Sequence, residues 1–474
     1  MNDVSISWSR RRVAIAVLGG CAILAGSLAF GPFRGQPVDQ PAPIRVGAVF
    51  PLKGNAAGLA GQELRGVQIA ADLVNADGGI GGRRVVLDVR DLEATEDAPS
   101  VMAAIKAGGA SVVVGAYSSD LSIAASAAAD AAGLVYWEAG AVADQLTGQG
   151  LPLVFRVGAS GADLGSNSAR FAATELAPRL ETPAAALRVA IVSAEDAYAG
   201  SVADAAARTA QAAGTPIVAR LKYNLSAPQW PALMSRLAAT HPDVVILASH
   251  VPDGIAFRQA MIVAGLHVKA LIGSTMAECD PDFAGELGPD AIGVFASDRP
   301  TGGFQPGALD ASARAVYDRF AEAWAKTPAA GVSPSLPSSG SDGSGYGPGA
   351  SATEEYTISG PGEASGIDAA TVPTEEGISG FAAAWPLFHV VLPMAAEAGS
   401  LDPGHIAAAA RRVDLPIGSL PNGAGLHFSS DPATLGQNDR AAAVIWQWQA
   451  VRSYEFVWPA TYATGAIRFV PLVR

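Results

Sequence analysis

The chain has 474 residues, half of them apolar and 16% charged, with a net charge of −13. That length exceeds one ordinary domain and allows a sizeable buried core. The acidic balance repels phosphate backbones and argues against nucleic-acid binding.

Arg10, Arg11 and Arg12 precede an uncharged apolar run over residues 13–30, the basic-then-apolar order of an export segment. Three outcomes stay open. The run is just long enough for an uncleaved anchor. Ordinary cleavage near residues 29–31 is the second. In the third, Leu18-Gly19-Gly20-Cys21 acts as a lipoprotein cleavage box and Cys21 carries the lipid. Each places the rest of the chain outside the cytoplasm, and two of them tether it to the membrane. Residues 34–43, rich in Gln and Pro, read as the tether. With Cys21 in this segment, Cys279 has no partner for a disulfide or a cysteine metal site.

Residues 44–52 (IRVGAVFPL) form a β-rich run. Residues 62–77 predict an amphipathic helix, with Leu64, Val67, Ala71 and Val74 on one side and Glu63, Arg65, Gln68, Asp72 and Asn75 on the other. Gly78-Gly79 ends it. A strand at 85–89, a helix at 98–106, a strand at 111–115, a helix at 122–132 and a strand at 134–137 follow. Apolar strands separated by helices predict a parallel sheet covered on both faces. The alternation restarts with strands at 189–192, 216–223, 244–247 and 270–273 and helices at 201–213, 230–239 and 254–264. The fold class is therefore α/β, with two doubly wound parallel-sheet lobes and a break near 157–163.

Residues 327–379 are dense in Ser, Gly and Pro and predict a disordered insertion. A helix at 381–398 resumes the fold. Residues 441–458 are β-rich and carry Trp446, Trp448 and Trp458, which are read as core. The expected partition is 1–43 for export and tether, 44–159 for the first lobe and 160–296 for the second. The first lobe returns at 297–326 and 380–430, and the second at 431–474.

The tools of an enzyme are missing. There is no G-x-S-x-G, H-E-x-x-H, C-x-x-C or phosphate-loop motif, and six histidines are scattered without metal-ligand spacing. The glycines at 78–82 follow a helix instead of opening one, so they lack the helix N-terminus that would hold phosphate. Binding without catalysis, cofactor or metal is the expectation.

Several stretches resemble one family. They are the opening I-R-V-G-A-V-F-P-L-K-G, residues 61–82 (GQELRGVQIAADLVNADGGIGG), Asp91, the serine loop at 113–119, residues 133–146, Arg156, and Glu195-Asp196-Ala197-Tyr198-Ala199. Together they resemble the leucine/isoleucine/valine-binding protein family, type I periplasmic solute-binding proteins of ABC importers. The resemblance implies two lobes joined by a three-crossing hinge, a ligand in the cleft between them, an ABC permease as membrane partner and a monomeric state.

It also implies site residues. The family grips a ligand carboxylate with a serine hydroxyl and backbone N–H groups at the start of a helix; that loop here is Ser118, Ser119 and Asp120, with Ser119 at the binding serine, unless these residues merely cap the helix. Glu138, Gly140 and Val142 form the next loop. Glu138 and Val142 stand where threonine is usual, and Glu138 is either a partner for a cation or a structural carboxylate. Tyr198 and His250 would cover the ligand from the second lobe. Thr275 falls where the family places an ammonium-binding glutamate, with Glu278 three residues on, and Leu59 replaces an aromatic residue. The ligand expected is an amino acid or a related small carboxylate or amide, with the ammonium end of the site altered. Branched-chain amino acids stay open through Glu138 or Glu278. A membrane-anchored ligand sensor and a cell-envelope protein without transport are the alternatives.

Overall fold

The computed structural model describes residues 41–326, 367–368 and 372–472. Cys21, the apolar run, most of the tether and most of the expected insertion lie outside the described residues.

The first lobe opens with β1 (Ile44–Phe50), α1 (Ala57–Ala76), β2 (Val85–Asp91), α2 (Ala98–Ala107), β3 (Val112–Gly115), α3 (Ser119–Ala132), β4 (Val135–Glu138), the short α4 (Gln145–Gly148) and β5 (Val154–Arg156). Its five strands are all parallel, in the order β2-β1-β3-β4-β5. Every residue of β3 and β4 is buried, as a sheet covered on both faces requires.

The second lobe runs through α5 (Gly161–Phe171), α6 (Ala177–Arg179), β6 (Val189–Ala194), α7 (Ala197–Ala212), β7 (Ile217–Tyr223), α8 (Trp230–Ala238), β8 (Val244–Ser249), α9 (Val251–Val263), β9 (Ala270–Met276), α10 (Pro281–Leu287) and β10 (Phe295–Asp298). The chain then supplies α11 (Ala311–Lys326), β11 (Ile367–Asp368), α12 (Glu375–Pro386), α13 (Leu392–Glu397), α14 (Pro403–Ala410) and the small pair β12 (Asp414–Leu415) and β13 (Leu426–His427). It ends in β14 (Val444–Ala450) and β15 (Ser453–Trp458), which join the second sheet in the order β11-β15-β14-β10-β9-β8-β6-β7.

The second sheet has the expected parallel strands and adds an antiparallel edge. β14, β15 and β11 pair antiparallel, and only β6 to β10 are parallel. Only Val451 and Arg452 separate β14 from β15. A connection that short makes a hairpin and cannot make a parallel crossover. Trp446 and Trp448 lie in the core, and Trp458 packs against Phe171.

The insertion is shorter than the 327–379 expected from composition. α12 starts at Glu375 behind Thr374, whose side chain caps the helix by accepting from Gly377 N, and all twelve residues of α12 are buried. Besides the three passages between the sheets, β11 makes an excursion from the first lobe to the edge of the second sheet. The stretch Glu375–Glu397 is long and apolar enough to cross a membrane, but 78% of its most apolar 18-residue window is buried inside the protein, so it is a core helix.

α12 lies against α1 at backbone contact. A Cβ on Gly66 would fall 2.1 Å from Gly377 O, and one on Gly380 would fall 2.0 Å from Glu63 O. We expect Gly66→Val to cost about 1–3 kcal/mol by forcing the two helices apart. A wild-type melting temperature for this variant would sink the close-packing argument.

Candidate functional site

The carboxyl ends of β3 and β4 in the first lobe, and of β6, β8 and β9 in the second, carry the loops that were singled out from sequence. Strand ends next to helix N-termini are where open α/β sheets bind ligands.

α3 begins at Ser119, three residues before the periodicity suggested. Ser118 is its N-cap but makes no side-chain cap, so the first-turn N–H groups receive none from it. Ser119 Oγ accepts from Ala143 N at 3.2 Å, which leaves its own O–H available to donate. Tyr117, just before, takes a φ of 74°, a conformation that bulky residues rarely adopt and that clusters at functional sites. Asp120 is exposed. Its carboxyl is pushed up by partial desolvation and by Asp196 of the second lobe, with His250 opposing. The two walls are therefore within electrostatic reach of each other.

The loop after β4 behaves differently. Glu138 is fully buried, and its Oε1 accepts from Gly140 N at 2.9 Å and Ala141 N at 2.8 Å, while Oε2 accepts from the Tyr136 hydroxyl. Of the two roles left open for it, the geometry gives the structural one. Gly140 O also accepts, from Arg299 Nη1 at 2.7 Å, so both backbone groups of Gly140 are engaged within the protein. Val142 is 3% exposed and packs in the core. Gly140 and Val142, which the resemblance offered as ligand contacts, are thus held within the protein, Gly140 by hydrogen bonds and Val142 by burial.

Glu63 needs correction as well. It was placed with the polar side of its helix, yet it is fully buried, and neither carboxylate oxygen has a hydrogen-bond partner among the described residues. A Cβ on Gly140 would lie 1.9 Å from Glu63 Oε2, so this loop covers the face that amphipathicity assigned to solvent. Burial, then the nearby Glu138, push its carboxyl well above the usual range. Arg299 is the adjacent cation. Its Nη2 donates to Glu375 Oε2 at 3.0 Å, and its Nε lies 2.6 Å from Glu375 Oε1 as an ion pair too bent for a hydrogen bond. Sequence reasoning missed Arg299. The only signal was an arginine directly after an apolar strand.

The second wall is built on α7 and α9. Asp196 caps α7 through Oδ1, which accepts from Ala199 N at 2.7 Å, and its Oδ2 has no hydrogen-bond partner among the described residues. Tyr198 is 5% exposed, donates to Ser249 O at 2.9 Å and meets the His250 ring edge-on at 5.0 Å. His250 occupies the N-cap position of α9 without a side-chain cap bond, and its Nε2 stands 3.5 Å from Asp196 Oδ2. Asp253 is occupied by His250 N and by the Tyr223 hydroxyl.

Thr275 lies within β9, and its side chain is outside the described structure. Met276 follows with a φ of 53°. Glu278 is fully buried beside them, and both of its oxygens lack a hydrogen-bond partner among the described residues, as does the buried Ser249 Oγ. The Glu278 carboxyl has room because Gly273 and Gly254 carry no Cβ. One added to Gly273 would sit 2.0 Å from Glu278 Oε2, and one added to Gly254 would sit 2.6 Å from Ser249 Oγ. Burial pushes the Glu278 carboxyl up to about 8. The first lobe thus offers a hydroxyl and an uncapped helix N-terminus, and the second holds a buried carboxyl without a hydrogen-bond partner among the described residues.

Residues 43–336 match the family model for periplasmic binding proteins. The chain is 28% identical over 433 residues to the Leu/Ile/Val-binding protein homolog 8 of Brucella abortus (strain 2308), covering 90% of this chain and 93% of that protein. Among solved structures it resembles the branched-chain amino acid transporter substrate-binding protein LivJ of Streptococcus pneumoniae in complex with isoleucine. That match has a TM-score of 0.63 at 18% identity and covers 88% of this chain and all of that one. It also resembles a solute-binding protein of R. palustris in complex with benzoate, with a TM-score of 0.61 at 17% identity over 91% of this chain and all of that one. At these identities the solved structures establish the shared type I periplasmic binding fold.

Proposed function

This chain belongs to the periplasmic binding protein family, among the Leu/Ile/Val-binding homologues, and on that premise we propose that it is the extracytoplasmic substrate-binding protein of an ABC importer, capturing an amino acid between its lobes. Export and tethering through residues 1–43, by an anchor or by a lipidated Cys21, and delivery to a membrane permease belong to the same proposal. The reading is one of capture without turnover.

The observation that carries it is the buried Glu278, whose two oxygens lack a hydrogen-bond partner among the described residues, together with the uncapped N-terminus of α3. A carboxyl buried without a partner is costly, and an ammonium supplies the missing counter-charge. The Ser119 hydroxyl and the first turn of α3 suit a carboxylate, through hydrogen bonding and the helix dipole. Anion site and cation site then match the two ends of a zwitterion. Glu278 thereby replaces Thr275 as the candidate for the ammonium end, and it removes the reason to expect a ligand without an ammonium.

In a thermal-shift screen, a ligand at ~100 times its dissociation constant stabilises the protein by about 2.7 kcal/mol. Ser119→Ala should weaken the best amino-acid ligand by roughly tenfold, the loss of one hydrogen bond to a charged group. A folded protein that responds to no amino acid, amine or carboxylate would refute the reading.

A further inference from the structure

The two parts of the site are held by side chains that do not belong to it. In the first lobe, two buried arginines take the carbonyls of the loop after β4. Arg299 donates to Ala139 O at 3.3 Å and to Gly140 O at 2.7 Å. Arg156 donates to Ala141 O at 3.3 Å and to Ala143 O at 2.7 Å. The same loop holds the candidate hydroxyl, because Ala143 N donates to Ser119 Oγ. In the second lobe, Met276 N donates to Asp298 Oδ2 at 3.1 Å, two residues before Glu278. Met276 has the left-handed φ noted above, a conformation that persists only where the surroundings fix it.

These three holding residues lie where the chain passes between the lobes. Arg156 ends β5 and opens the first passage, while Asp298 ends β10 and Arg299 opens the second. The passages also meet one another. A Cβ on Gly158 of the first would lie 3.6 Å from Arg299 Nη1. Gln437, between β13 and β14, donates to Gly158 O at 3.1 Å and accepts from Arg156 Nε.

Asp298 and Arg299 are neighbours in sequence, yet their side chains serve different lobes. Asp298 reaches back to Met276 of the second. Arg299 reaches forward to the first, where it also bonds Glu375 at the start of α12. The change of lobe in this passage falls on the one peptide between them, whose N–H donates to Asp298 Oδ1 at 2.7 Å. A rotation of one lobe against the other carries each loop along with its own residue.

We propose that Asp298 and Arg299 are the positioning pair of the ligand cleft: Asp298 carries the loop of Glu278, Arg299 carries the loop that holds Ser119, and the second passage bends between them. The pair acts through Met276 N and through the carbonyls of Ala139 and Gly140. What the two loops bind rests on the amino-acid reading above; how they are held does not.

Amide hydrogen exchange of the purified, ligand-free protein tests it. Asp298→Ala removes both acceptors. Exchange at residues 276–279 should rise roughly tenfold, the loss of one hydrogen bond to a charged group, while residues 139–143 stay within about twofold of the unmutated protein. Arg299→Lys keeps the charge but loses the fork that spans Glu375 and two carbonyls. It should do the reverse, roughly tenfold at 139–143 and within about twofold at 276–279. A general loss of stability would raise both loops in both variants, and that result overturns the proposal, as do unchanged loops. If Asp298→Ala does not fold, Arg299→Lys decides by the same comparison. Titration calorimetry with the L-amino acid that most raises the melting temperature adds a functional readout. Each variant should weaken it by roughly tenfold, and unchanged affinity in both overturns the positioning role. A protein that responds to no amino acid counts against amino-acid capture, and the exchange result still decides the pair.

Discussion

The ligand-free protein is expected to lose stability as pH rises from about 5 to about 8, and Glu278→Gln is expected to remove one proton's share of that slope. The Glu278 carboxyl is pushed up to about 8 by burial, from an ordinary value of 4.5. Between those two values the folded chain holds a proton that the unfolded chain has released. The stabilisation from this group is thus fully present below the unfolded value and is lost as pH rises through the folded one. For one group this amounts to at most roughly 5 kcal/mol. Burial moves its neighbours the same way, Asp280 to about 6 and Glu375 to about 7, so the whole slope exceeds one proton. Glutamine keeps the shape and cannot ionise, so the variant should be the more stable protein at pH 8. A ligand ammonium favours the ionised carboxyl, so binding near pH 7 should release a proton, seen as a buffer-dependent heat. Urea unfolding between pH 5 and 9 is the measurement, and identical slopes for the two proteins would remove Glu278 from this role.

Arg299→Met is expected to cost about 3–5 kcal/mol at pH 8, the range found when one partner of a buried ion pair is removed. Arg299 is 5% exposed and lies at the second passage between the lobes, directly after β10. It bonds Glu375 of α12 and the carbonyls of Ala139 and Gly140. Without it, Glu375 and Asp298 stay buried with no counter-charge, and two carbonyls lose their donor. Protonation of Glu375 relieves part of the penalty in acid, so the loss should shrink toward pH 5. Urea denaturation at both pH values checks this. A loss under about 1 kcal/mol at pH 8 would show that the cluster is not held by this arginine.

Much of the candidate site was legible because its backbone elements were legible. The loop at Tyr117–Asp120 and the turn before Tyr198 follow apolar strands that alternation alone identifies. The boundaries at these loops were less legible. α1, α3, α7 and α9 all start before the apolar periodicity does. Ser118, Ser119, Asp196 and Tyr198 fill the first turns of α3 and α7 with polar or aromatic side chains, so no aliphatic stripe marks where these helices begin. The end of the insertion was misplaced for a related reason, because Glu375 and Glu376 read as solvent-exposed residues although both are buried.

By itself the sequence determined the α/β class, the two arrays of strands and the break between them. These follow from local periodicity and composition, which one chain segment carries alone. Only the tertiary structure decided which polar groups are used. Glu138 is consumed by its own loop, Glu63 is buried under that loop although it lies on the polar side of its helix, and Glu278 has no hydrogen-bond partner among the described residues, near where Thr275 had been expected to act. Whether a carboxylate is spent or available depends on donors brought from distant positions, such as Arg299 against Gly140, and on the space left by glycines such as Gly273. Neither has a periodic signal in the chain.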